Sequence, residues 1–325
     1  MDTLSELIDL STELDQNKAD YLARVGDIDF DDQARIVVPD NLFNASTPLE
    51  LTDWALHQVC EKLGPPPYDY MKRCPLSLRA YNLNRWRANG NGKTWFVRAN
   101  GEKARAVLTP DYTPVLSTKV LEMTQELLGT TPYRLVRPYV DADTLHVKIS
   151  VADTKGDNYA IGAYIGNGEI GNYMLRIFPF LQRHSCTNSI IYQEGGFEQR
   201  HFHVTPAFIW GALKEKIGQA IGMATEMLDH IVRAEAENIP DLAHVIANLC
   251  KDKGLSQPVH DLILIGSESQ NTRFGLVNGL SFAAHHMEDV DLAIRLESMA
   301  GAILMGNPIK QGEMIDDRPQ SASRC

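Results

Sequence analysis

The sequence predicts an α+β fold: an antiparallel sheet of about five or six strands over residues 94–205, preceded by short helices and followed by a helical C-terminal part. Three observations carry this. Between residues 133 and 180, four runs of strand-forming residues are joined by short polar connections. Parallel crossovers need roughly a dozen residues or more, so short connections pair the strands antiparallel. From Pro206 onward, apolar residues recur at helical spacing, punctuated by Pro240, Gly254 and Pro258. Asn100-Gly101, set between two apolar runs, is a hairpin turn signal.

Taken in order, residues 1–45 form an acidic N-terminal segment. Through residue 60, thirteen acids from Asp2 to Asp53 face only Lys18, Arg24 and Arg35. Such a segment reads as a flexible arm or a solvated face, and an acidic arm can shield a basic groove by mimicking phosphate. Residues 46–205 hold the α+β core. Thr52 or Asp53 caps a helix over 54–63, which Gly64-Pro65-Pro66-Pro67 ends. A second helix is predicted over 76–88 and a third over 115–128. Residues 94–100 and 104–109 form a strand pair, with Trp95 and Val97 on one face and Phe96 and Arg98 on the other. Strands follow over 133–139, 145–151, 159–165 and 173–180. In the third, Tyr159, Ile161, Ala163 and Ile165 suit a buried face. The helical part, 206–305, contains helices over 207–237, 241–253, 258–267, 272–287 and 289–304. The polar tail 306–325 is expected to be disordered.

A chain of 325 residues can bury a sizeable core. It has no apolar run approaching about 18 residues, so no membrane span is expected. The acidic N-terminus lacks the layout of an export signal. Five widely spaced cysteines suit reduced thiols in a cytoplasm better than a disulfide framework.

The strongest functional feature is a basic, aromatic stretch inside an acidic chain. Between residues 68 and 105 there are nine basic residues against Asp69 and Glu102, in a protein of net charge −11. Cations neutralise phosphates, and flat rings give unstacked bases a face to lie on. The candidate nucleic-acid contacts are Arg79, Arg85, Arg87, Lys93, Arg98 and Arg105 for the backbone. Tyr81, Trp86 and Trp95 are the candidates for stacking. Trp95 and Arg98 lie on opposite strand faces, so both reach one ligand only at a sheet edge.

Other motifs carry less. Gly166-Asn167-Gly168-Glu169-Ile170-Gly171 spells G-x-G-x-x-G, but a dinucleotide fingerprint must open a helix, and a strand follows here. A tight turn is the better reading. Gly92-Lys93-Thr94 lacks the first glycine of a phosphate-binding loop. His184, Cys186, His201 and His203 pair two apart and are candidate zinc ligands, although no C-x-x-C accompanies them. Cys186 and the hydroxyls of Ser185 and Thr187 beside His184 are weak nucleophile candidates. Asp153 and Asp157 could flank a divalent ion, and a solvated turn explains them more simply.

Several phrases in a fixed order also carry a resemblance: 68–74 (YDYMKRC), Trp95-Phe96-Val97-Arg98 leading to Arg105, Asn167-Gly168-Glu169-Ile170-Gly171, Arg183 with Cys186-Thr187-Asn188, Arg200-His201, Asn278-Gly279-Leu280 and Leu296-Glu297. Over residues 45–305 the chain resembles the phage/plasmid-like protein family, a domain of unknown function on prophages and plasmids. Ser189 departs from it, since the family usually has glycine after Cys-Thr-Asn. The resemblance implies a cytoplasmic mobile-element protein and names no reaction. A helix, an antiparallel meander and a further helix are also similar, by distant analogy, to the core of single-strand annealing recombinases. The expected function is therefore single-stranded DNA binding, with strand annealing, in phage or plasmid recombination or replication. The protein would act as a homo-oligomer without a cofactor. The alternatives are a metal-dependent hydrolase or nuclease, and an acidic interaction protein such as a DNA mimic or antirestriction factor.

Overall fold

Two six-stranded sheets organise the chain, where the sequence predicts one. The computed structural model describes residues 2–40, 45–64, 67–90, 92–153, 158–184, 188–267 and 270–306. Helix α1 (Leu4–Asp15) is capped by Thr3 and leads into β1 (Lys18–Arg24), β2 (Asp29–Phe30), β3 (Ile36–Asp40) and β4 (Ala45–Leu51). Helices α2 (Asp53–Leu63), α3 (Tyr68–Arg73) and α4 (Leu76–Arg87) precede the hairpin β5 (Thr94–Asn100) and β6 (Lys103–Leu108). The hairpin turns at Gly101, whose φ of +55° is a conformation that side chains resist.

These strands build the first sheet in the order β1-β5-β6-β4-β3-β2. All neighbours are antiparallel except β4 and β6. The predicted hairpin is present, but it belongs here, zipped along all seven residues of β1. The acidic segment is accordingly neither an arm nor a purely solvated face. Its Val25, Ile28, Phe30, Ile36 and Val38 bury against α2, Trp95 and Val97. Its acids sit between those apolar positions, so the charge count conceals a strand pattern.

The second sheet follows α5 (Ser117–Leu128). It contains β7 (Arg134–Val140), β8 (Thr144–Asp153), β9 (Tyr159–Gly168), β10 (Leu175–Arg183), β11 (Ser189–Ile191) and β12 (Phe197–Gln199). Strands β7 to β10 form an antiparallel meander, and β11 and β12 pair with successive parts of the far side of β10. Pro179, which has no N–H to give, falls in the gap between them. Helices α6 (Pro206–Ala236), α7 (Leu242–Lys253), α8 (Gln257–Gly266), α9 (Arg273–His285) and α10 (Val290–Leu304) complete the chain, close to their predicted bounds. Thr205 and Asp241 cap α6 and α7 through their side chains, and Gly254 ends α7. No helix among the described residues is long and apolar enough to cross a membrane.

Both faces of the second sheet are covered. Ile149, Ala163, Ile165 and Ile177 pack against α1, α5 and α6. On the other face Tyr164, Phe178 and Phe180 pack against Ile294 of α10. The alternation of β9 thus marks two interiors, not an interior and a surface. The G-x-G-x-x-G segment ends β9 and turns between the sheets. Trp54 Nε1 and Gln58 Nε2 of α2 donate to the Ile170 carbonyl, and Arg98 of β5 donates to that of Glu169. This turn joins the two sheets.

Candidate functional site

Helix α4 presents the exposed part of the basic, aromatic segment. Its 12 residues include three arginines and no acid. Ala80 and Leu83 bury its inner side. Leu78, Tyr81 and Arg85, spaced three and four apart, share the outer side. Tyr81 is 66% exposed, and Tyr70 of α3 and Leu76 and Leu78 of α4 are exposed as well. Arg85 and Lys93 also face solvent. The other members are partly committed. Arg79 donates from Nε and Nη2 to the carbonyls of Met71 and Lys72, closing the end of α3. Arg87 Nη1 lies 3.5 Å from Asp29 Oδ1. Trp86 leans on the core of the first sheet.

Trp95, Arg98 and Arg105 leave the candidate set, because none reaches a ligand at the surface. Trp95 is 2% exposed and packs in the core. Arg98, 1% exposed, bonds Asp20 through Nε at 2.8 Å. Arg105 bonds Asp143 through Nη1 at 2.8 Å and the Ala142 carbonyl. Between the two arginines lies Glu169, with no exposed surface, which accepts from Lys18 Nζ at 2.7 Å and from the Ser117 amide at 2.8 Å. Lys18 also pairs with Asp15. Three cations and four carboxylates therefore pair where the sheets meet. Paired charges of this kind tolerate burial; unpaired ones do not. Sequence proximity grouped these arginines with α4, but their partners lie far along the chain.

The candidate zinc ligands do not assemble among the described residues. His201 is buried, with Nδ1 2.9 Å from the Tyr112 hydroxyl. Burial, with Arg98 nearby, pushes its pKa down to about 4. His203 is exposed, with φ +55°. The turn after β12 sends the two rings apart, so strand-like spacing misleads here. His184 hydrogen-bonds the Asn158 carbonyl through its backbone amide. Ser185, Cys186, Thr187 and Asp157 lie outside the described residues, as does the side chain of Asp153. No group of three metal-ligating side chains occurs among the described residues.

Some of the residues behind the family resemblance meet in buried or part-buried polar contacts. Arg183 Nη1 and Asn188 Nδ2 both donate to Asn278 Oδ1, and Asn278 Nδ2 donates to the Gly266 carbonyl. Glu297 accepts from Lys148 Nζ at 2.5 Å, with both side chains buried. Burial raises the Glu297 pKa, and Lys148 opposes that rise.

Sequence reasoning missed a cleft of about 550 Å³ where β7, β8, α2, the segment after β9 and the start of α10 converge. Tyr139, His146, Tyr173 and Trp54 contribute rings to it, and Asp141, Asp143, Glu288, Asp289 and Asp291 contribute carboxylates. Tyr139 donates to Asp141 at 2.6 Å, which, with burial, pushes the phenol up to about 12. His146 is 5% exposed; its Nδ1 lies 2.8 Å from the Tyr164 hydroxyl and its Nε2 3.8 Å from Asp291 Oδ1. Burial outweighs Asp291 and lowers the His146 pKa to about 4. Acids are so frequent in this chain that no sequence spacing singles these out. No protein-family model, curated protein or solved structure matches the chain.

Proposed function

We propose that the protein binds single-stranded DNA along the outer side of α4. Tyr81 would stack a base, and Arg85 and Lys93 would neutralise phosphates, with Arg79, Trp86 and Arg87 at the margin of the groove. The observation that carries this reading is the exposure of Tyr81 one helical turn from Arg85, on a helix without acids. Ring stacking and cationic screening are the two requirements of sequence-tolerant single-strand binding. In the mobile-element setting that the family resemblance implies, such binding serves strand annealing by a homo-oligomer. Annealing runs downhill and needs no nucleotide hydrolysis.

Fluorescence anisotropy with labelled single-stranded DNA, run as a salt series, tests this. Tyr81→Ala should weaken binding by about 1–3 kcal/mol with the salt slope unchanged. Arg85→Ala should weaken binding and reduce the slope by roughly one. Absence of binding at low salt, or wild-type affinity in both variants, removes the proposal.

A further inference from the structure

We propose that the cleft between β7, β8, α2 and the start of α10 is a binding site for a small organic cation, an amine or guanidine on a short frame. It shares no residue with the α4 face and does not depend on the DNA-binding reading.

The size comes first. A concavity of about 550 Å³ falls in the range of small-molecule sites. The carboxylates then divide by duty. Asp141 Oδ1 accepts from the amides of Asp143 and Thr144 and so fixes the β7–β8 turn. Asp143 answers Arg105, and Asp289 Oδ1 accepts from the amides of Asp291 and Leu292 to cap α10. Glu288 and Asp291 stand exposed at the mouth, and Asp291 also accepts a hydrogen bond from Tyr173. Among the described residues no lysine or arginine lines the cleft, although the Arg176 guanidinium lies over the Tyr173 ring, 5.6 Å from its centroid. Its field therefore repels phosphate and carboxylate ligands and draws cations.

The rings add selectivity. Trp54 is fixed by its hydrogen bond to the Ile170 carbonyl, and Tyr173 meets the His146 ring edge-on with centroids 5.6 Å apart. Tyr173 already carries the Arg176 guanidinium and Trp54 stacks on His57, so it is the remaining ring faces beside the carboxylates that would favour an organic ammonium or guanidinium over a bare metal ion. The described residues also offer no group of three metal-ligating side chains. Finally, His146 is a buried side chain with one nitrogen unanswered. Its Nδ1 is taken by Tyr164, while Nε2 points toward Asp291 at 3.8 Å, beyond hydrogen-bond reach. A ligand N–H or an ordered water between Nε2 and Asp291 would answer the imidazole, while Asp291 keeps the hydrogen bond it accepts from Tyr173.

The test titrates the full-length chain with agmatine by calorimetry at low ionic strength. Glutarate and 1-pentanol serve as anionic and neutral controls. One-to-one binding of agmatine, with neither control binding, is expected. Asp291→Asn with Glu288→Gln should weaken agmatine at least about fivefold, the scale of a partly screened charge contact. Spectra of the wild-type chain labelled with ¹⁵N-histidine give a second readout that survives a poorly folding variant. Saturating agmatine should move one imidazole Nε2 resonance. Failure of agmatine to saturate, unchanged affinity in a cooperatively melting double variant, or no shifted imidazole overturns the proposal.

Discussion

His146 and His201 are both buried and neutral, and this gives the fold a defined response to acid. Each has a folded pKa near 4, depressed first of all by burial. The ordinary value is about 6.5, so between about pH 6.5 and pH 4 the unfolded chain binds protons that the folded chain does not. Stability contributed by the neutral rings is therefore complete above the unfolded pKa and is lost as pH falls toward 4. The loss is about 3 kcal/mol for each histidine. His201 faces Arg98 and Tyr112; His146 faces Asp291, Asp141, Arg176, Lys148 and Tyr164. Glu297 and Asp143, raised by burial, act in the opposite sense. Urea unfolding from pH 4 to 7 should show stability rising with pH, and the slope should flatten in His201→Gln and again in His146→Gln. An unchanged slope in both would show that these rings are solvated. At this scale the sequence reveals α4 but not the fate of its neighbours. Charge and aromaticity identify Tyr81 and Arg85, whereas the burial of Arg98 depends on Asp20, 78 positions away. A local count of charge cannot register such a partner.

Where α10 crosses β11, the backbones come close enough that one element fixes the other. A Cβ at Gly301 would stand 1.9 Å from the Ile191 carbonyl oxygen. Backbone cannot swing aside as a side chain does, so Gly301→Ala must move the helix. The expected cost is roughly 1–3 kcal/mol, the usual scale of overpacking. Thermal melting checks it, and an unchanged midpoint would mean that α10 rides loosely on the sheet. Helices α2 and α4 to α10 were legible in the sequence because their signals are local, whereas α1 and α3 were not. Thr52, Thr205 and Asp241 accept first-turn amides, and Gly254 ends α7 in the left-handed conformation. The β5–β6 hairpin was legible for the same reason. Its sheet was not, because β1 precedes β5 by more than seventy residues and nothing local records that pairing. Alternation in β9 likewise shows two faces without saying that helices cover both.

The acidic N-terminal segment decides how the whole molecule holds together. Strand β1 forms one edge of the first sheet, and β3 joins β2 to β4 at the other. Lys18 and Asp20 of β1 neutralise Glu169 and Arg98 at the junction with the second sheet. Leu4 and Leu7 of α1 enter the core under β7 to β10. Deleting residues 1–45 therefore does more than remove negative charge. It strips both edges of one sheet, opens the core of the other, and leaves a buried carboxylate and a buried guanidinium short of partners. Breaking one such pair costs about 3–5 kcal/mol, a large share of the roughly 5–15 kcal/mol that holds a domain folded. The truncated chain should lose cooperative melting and the dispersed amide spectrum of a packed protein. If it instead melts at the full-length midpoint, the segment is an appendage, and an independent role as a phosphate mimic becomes testable by the same deletion. A truncation that fails to fold cannot separate that role from stability. The sharper variant keeps the fold and changes only exposed acids. Asp27→Asn with Asp32→Asn should leave the stability within about 0.5 kcal/mol of wild type, as surface substitutions generally do.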